Sequence, residues 1–132
     1  MVIDTSALLA IFLREADARP LVAAIAATPV RLISAVSFLE GAIVAETRKG
    51  SAARSEFALF VQEIEGDVVP FDVEQAKLAR DAYRMFGKGL HAARLNFGDC
   101  CVYALAKSSG EPVLFVGNDF ARTDIAVVDH RG

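Results

Sequence analysis

The spacing of its short apolar runs constrains this chain more than any other feature. Residues 1–4 (MVID), 31–34 (RLIS), 67–71 (DVVPF), 112–116 (PVLFV) and 125–128 (IAVV) each have strand length and strand character. Stretches of helical periodicity fill the first three gaps. Thr5 and Ser6 lead into SALLAIFL, and LVAAIAA follows Pro20, with Asp17 ahead of it near the start of a first helical turn. Residues 36–49 form a third helical pattern closed by Gly50, and residues 51–64 a fourth with Phe57, Phe60, Val61 and Ile64 on one face. Asp72 is a good cap for a helix over residues 73–86, and another helix begins near Asn96 and runs to Gly110. A single helical turn is expected between the last two runs. Parallel strands need long crossover connections, and these connections have helix length. The spacing therefore predicts a three-layer α/β/α fold around a central parallel sheet.

With 132 residues, 54% of them apolar and 23% charged, the chain is the size and composition of one globular domain, residues 1–132. No internal repeat or linker divides it. No apolar run approaches the roughly 20 residues of a membrane span, and the start lacks the pattern of a secretory leader. A cytoplasmic protein without membrane attachment is expected. Cys100 and Cys101 are adjacent, which closes no useful loop and is not a metal-ligand spacing. Neighbours on a helix point about 100° apart, so one thiol is expected in the core and the other partly exposed. Phe57, Leu59, Phe60, Val61 and Ile64 are expected to be mostly core, with any surplus available to a partner groove.

The net charge of −3 offers no overall attraction for nucleic acid, so any such contact needs a local patch. Lys77, Arg80, Arg84, Lys88 and Arg94 stand against the single acid Asp81 over residues 77–94. Arg80, Arg84 and Lys88 recur every four residues and share one helix face if the helix continues past Gly87. A solvated face is the ordinary fate of such a pattern. Arg48, Lys49 and Arg54 are a second basic group. His91 beside the basic stretch is expected at the surface, and His130 in the tail.

Four acids stand where a parallel sheet builds its sites, outside the carboxyl ends of the strands. Asp4 ends the first run, Glu40 lies early in the helix after RLIS, Asp99 lies in the first turn of a helix, and Asp119 follows PVLFV. Any one of them alone reads as a cap or a turn residue. Together they would repel one another unless a cation joined them. Carboxylates without histidine or thiolate suit a hard ion, Mg²⁺ or Mn²⁺, and disfavour zinc. Such an ion serves phosphodiester hydrolysis.

The segments MVIDTSALLAIF, SFLEGAIVAETRKG, LNFGDCCVYALAK and VLFVGNDFARTDI together resemble the VapC toxins, a branch of the PIN-domain ribonucleases, over nearly the whole chain. The resemblance identifies Asp4, Glu40, Asp99 and Asp119 as the acidic catalytic residues, with Asp4, Asp99 and Asp119 holding the metal and Glu40 a further candidate ligand. Thr5 or Ser6 matches the hydroxyl residue that supports the first Asp. Asp124 is another acid near the site, a candidate for a second ion. The resemblance implies a Mg²⁺-dependent endoribonuclease, with Mn²⁺ able to substitute, acting as the toxin of a type II toxin-antitoxin pair on structured or single-stranded RNA, tRNA or rRNA. It implies a homodimer, a cognate antitoxin and a higher assembly with it. For an RNA substrate, Arg80, Arg84, Lys88 and Arg94 become the leading phosphate contacts.

Three other classes compete. A phosphoacceptor receiver needs paired acids after the first strand and a late lysine, whereas Asp4 stands alone and no lysine follows Lys107. A phosphatase with a nucleophilic Asp needs an acid two residues on, where this chain has Ser6. A non-catalytic PIN-like module that binds RNA or protein is the serious alternative, although it has no use for a self-repelling cluster.

Overall fold

A computed structural model describes residues 1–16 and 18–130. The expected role of Asp17 lies outside the described residues. The elements are β1 (Val2–Ile3), α1 (Thr5–Phe12), α2 (Ala18–Ala26), β2 (Leu32–Ser34), α3 (Ala35–Lys49), α4 (Ala53–Glu63), β3 (Asp67–Val69), α5 (Val73–Phe86), α6 (Phe97–Ser109) and β4 (Val113–Leu114). A 3-10 turn follows at Asp119–Arg122. All strand pairs are parallel, in the order β3-β2-β1-β4. Val2 is in register with Leu32 on one side and Val113 on the other.

The order explains the layers. From β1 to β3 the chain moves steadily toward one edge, then crosses back to place β4 on the other side of β1. Crossovers of one hand put helices on opposite faces when the direction of travel reverses. Accordingly α1, α2, α3 and α4 build one core with Ile3, Ile33 and Leu114, while α5 and α6 build the other with Val2, Val113 and Phe115. Alternate residues of a strand face opposite ways, so even the two residues of β1 serve both cores. This is the expected three-layer architecture.

In the first core Phe57 is wholly buried, with its ring centroid 5.3 Å from that of Phe12 and 5.9 Å from that of Phe60. Gly41 leaves room for it, since a Cβ there would overlap the Phe57 ring. Arg31 ties the layer together: its guanidinium donates to the Ile25 and Thr28 carbonyls at and just beyond the end of α2 and to Ile64 just past α4. Leu59 points away from this core and is exposed.

Two expectations need correction. The run 125–128 does not form a full strand. Only Val127 bridges to Val113, with Val113 N–H donating to Ala126 and Val128 N–H donating to Val113. β4 itself spans only Val113–Leu114, so the run has a two-residue neighbour to pair with. As expected, α5 stops at Phe86 with Gly87 as its cap, so the condition for Lys88 to share the face carrying Arg80 and Arg84 is not met. Finally, Cys100 and Cys101 are both buried, because α6 lies between α5 and α3 and is covered on most sides.

Truncating the ring at the centre of the first core should be costly. Phe57→Ala is expected to lower unfolding free energy by about 3–5 kcal/mol, read as a reduced urea midpoint with little change in slope.

Candidate active site

The site begins where β1 ends. Asp4 N–H makes the last ladder bond, to Leu114 O at 3.0 Å, and its carboxylate turns back as the N-cap of α1. Asp4 Oδ2 accepts from Ser6 N–H at 3.0 Å and from the Ser6 hydroxyl at 2.5 Å. The Ser6 oxygen in turn accepts from Val116 N–H at 2.9 Å. One serine thus fixes the first acid and ties the end of β1 to the chain leaving β4. The neighbouring Thr5 serves a different acid, its hydroxyl donating to Glu40 Oε1 at 3.1 Å. Of the two hydroxyls considered for Asp4, Ser6 holds it.

Glu40 lies in the second turn of α3, which Ser34 caps directly after β2. Its carboxylate rests on α6 at Gly98. Asp99 follows in the first turn of α6, and Asn96 and Asp99 cap that helix reciprocally. Asn96 Oδ1 accepts from Asp99 N–H at 2.8 Å, while Asp99 Oδ2 accepts from Asn96 N–H at 3.0 Å. Asp119 opens the 3-10 turn after β4 and is exposed. The structural role of a cap and membership of the cluster therefore coincide in Asp4 and Asp99: the cap bond is what aims each carboxylate.

Asp4 and Asp99 are 7% and 8% exposed, which withdraws solvation from two carboxylates that also repel their neighbours. Burial pushes the Asp4 carboxyl up, against the bonds from Ser6, and the charges of Glu40 and Asp119 push further. Burial likewise pushes Asp99 up to about 7, with Asn96 N–H opposing and Asp4, Asp119 and Glu40 adding repulsion. The structure brings Asp4, Glu40, Asp99 and Asp119 within mutual electrostatic reach.

It does not bring Asp124 there. Asp124 accepts from the Tyr103 hydroxyl at 2.7 Å and pairs with Lys107 at 2.8 Å, and these partners hold its carboxyl below the usual range. Arg80 and Arg84 are exposed and both pair with Asp81, at 3.4 and 3.5 Å. Lys88 and Arg94 are exposed in the loop between α5 and α6, where Arg94 adopts a φ of 56°. His91 accepts from Ala93 N–H in the same loop and packs edge-on to Phe86. Burial pushes both cysteine thiols up to about 11, so neither supplies a thiolate at neutral pH.

Two contributors escaped the sequence reading. Asn96 carried a visible signal, an Asn three residues before an Asp at the start of an apolar helix. Gly98 carried none, because its neighbour Glu40 is remote in sequence.

The donor set is entirely carboxylate oxygen. Among the described residues no three His, Cys, Asp or Glu side chains converge closely enough to hold one ion between them. An all-carboxylate donor set fits Mg²⁺ or Mn²⁺, and Mg²⁺ keeps several waters and takes only one or two carboxylates directly. It does not fit zinc, which wants three or four tightly placed protein ligands.

The raised carboxyls make stability depend on pH with a definite sign. Asp99 titrates near 3.8 when unfolded and about 7 when folded. Between those values the folded state binds more protons, so stability is greatest on the acid side and is lost as pH rises toward 7. In the absence of metal the thermal midpoint should fall from about pH 5 to about pH 8. Asp99→Asn, which keeps an oxygen for Asn96 N–H, should flatten that slope. An unchanged slope would remove Asp99 as its source.

The PIN domain family model matches residues 1–126. The chain is 52% identical to a protein named Ribonuclease VapC from Mycolicibacterium smegmatis, covering 97% of this chain and 99% of that one. It is 50% identical to Ribonuclease VapC30 of Mycobacterium tuberculosis, covering 97% and 98%. Among solved structures it resembles Mycobacterium tuberculosis VapC20, described as a sarcin-ricin loop cleaving toxin, with a TM-score of 0.79 over 96% of this chain and 97% of that one at 18% identity. A toxin-antitoxin complex from Klebsiella pneumoniae gives a TM-score of 0.75 at 17% identity over 98% and 96%. Together with the parallel sheet and the acids gathered at its carboxyl edge, these likenesses show that the chain belongs to the PIN-domain family, in its VapC ribonuclease branch.

Proposed function

We propose that this protein is a divalent-metal-dependent endoribonuclease, the toxin of a type II toxin-antitoxin pair, and that Asp4, Glu40, Asp99 and Asp119 form its catalytic site. The observation that carries the proposal is the burial of Asp4 and Asp99 within reach of two further carboxylates, a cluster that destabilises the empty fold. A binding module gains nothing from that cost.

Asp4, Asp99 and Asp119, with Glu40 beside them, are the residues to hold Mg²⁺ or Mn²⁺, one or two of the carboxylates directly and the others through the ion's waters. When bound, the ion supplies positive charge to the phosphoryl oxygens of the scissile bond. Ser6 and Asn96 keep Asp4 and Asp99 from turning away, and Thr5 steadies Glu40. Water attacks the phosphorus and the bond to the leaving oxygen breaks; the water's proton passes to a carboxylate of the cluster, and the leaving oxygen takes up a proton from solvent. His91, bonded within its own loop, takes no part in that transfer. Asp124, held by Tyr103 and Lys107, stands outside the step.

The substrate proposed is structured or single-stranded RNA, of the tRNA or rRNA class, in the cytoplasm. Arg80, Arg84, Lys88 and Arg94 are exposed and available for phosphate contacts. No helix among the described residues is long and apolar enough to cross a membrane. A homodimer and a cognate antitoxin are proposed partners, with a higher assembly of the two. Leu39 and Ile43 on α3 and Phe97 on α6 are each more than half exposed, and a groove of about 300 Å³ lies among Phe71, Tyr83 and Phe97. Such apolar surface supports association.

Purified protein should cleave cellular RNA with Mg²⁺ or Mn²⁺ and stop with chelator. Asp4→Asn should lose at least about a hundredfold in rate, while Asp124→Asn should stay within a few-fold of the parent. Undiminished cleavage by Asp4→Asn would exclude the site. RNA binding without cleavage under all these conditions would favour the non-catalytic module.

A further inference from the structure

Gly98 precedes Asp99 in the first turn of α6, at a place where helix propensity alone favours alanine. Its φ is not positive, so its backbone does not require glycine. What it supplies is room. A Cβ at position 98 would lie 2.6 Å from both carboxylate oxygens of Glu40 and 2.9 Å from the carboxyl carbon. Carbon and oxygen ordinarily meet no closer than about 3.3 Å. Glu40 Oε1 is simultaneously held by the Thr5 hydroxyl at 3.1 Å, so the carboxylate has a defined seat with α6 as its floor. The group that would give way is the far end of Glu40. It sits on a flexible stem, whereas the helix backbone under Gly98 is fixed by the Asn96–Asp99 cap.

We propose that Gly98 is a positioning residue for Glu40: its missing side chain lets the Glu40 carboxylate lie against the start of α6, bonded to Thr5 and beside Asp99. The inference rests on the acidic cluster being the ribonuclease site. Adding one methyl group displaces a carboxylate while leaving both helices in place. It therefore costs turnover without costing the fold. The proposed phosphate contacts at Arg80, Arg84, Lys88 and Arg94 are untouched, so substrate affinity should change little.

The test is a double-mutant cycle of Gly98→Ala with Glu40→Asp, with RNA cleavage rates and thermal midpoints measured for each protein. Gly98→Ala should lose about tenfold to a hundredfold in kcat, as expected when a catalytic group is misplaced by about 1 Å, with KM within about threefold. Its thermal midpoint should stay level or rise. Aspartate at 40 withdraws the carboxylate by one methylene, so in that background Gly98→Ala should cost less than about twofold in kcat. Wild-type kcat in Gly98→Ala, or equal losses in both backgrounds, would overturn the proposal. If Gly98→Ala instead lowers the thermal midpoint, the double variant should regain it. A loss that persists in the double variant would make Gly98 a helix-packing residue only. Asp4→Asn in the same assay separates the two levels: if it cleaves like the parent, the site itself is wrong, whereas an inactive Asp4→Asn beside a fully active Gly98→Ala refutes only the role of Gly98.

Discussion

The structure depends on a central strand only two residues long. Val2 and Ile3 are both fully buried and face opposite ways, one into each core. β1 also pairs with strands on both sides, so its backbone groups are satisfied only when β2 and β4 are in place. Each layer of helices therefore needs the other for the sheet between them to exist. The chain leaves β1 at Asp4, at the gap where strand order reverses, and that position is inherited by the site.

Burying carboxylates at such a point is expensive, and the fold meets the cost locally. Asp4 and Asp99 each accept a backbone N–H that would otherwise be an orphan of a helix start or the residue before it. Each cap contributes on the order of 1 kcal/mol, which offsets part of the desolvation of a single carboxyl. The remaining repulsion shows in the upward displacement of both acids. The cation proposed for the site would relieve that repulsion, linking the proposed chemistry to the stability of the chain. Gly98 belongs to the same design. At this position α6 presents no side chain to Glu40, whose carboxylate occupies the space a Cβ would take.

The layer order, the helix boundaries near Asp72 and Gly110, and the four acids were legible because each rests on local pattern: strand-length runs, amphipathic period, cap residues. The pairing of the 125–128 run was not legible, since its apolar character says nothing of how long its neighbour remains available. Helix α5 ends at Phe86, as the glycine at 87 predicts, although the four-residue recurrence of charge continues to Lys88. The burial of both cysteines required knowing that α6 is covered by α5 on one side and α3 on another. A helical wheel drawn for a surface helix cannot supply that.

What the sequence determined by itself is the set of elements and the residue types at their ends, because periodicity, capping and turn chemistry act over a few residues. The tertiary structure alone decided which hydroxyl serves which acid, that Asp124 is drawn to Tyr103 and Lys107 instead of the cluster, and that Gly98 is the floor beneath Glu40. Those outcomes depend on contacts across 35, 21 and 58 positions of chain. They are fixed by how the layers stack, and no local preference encodes that.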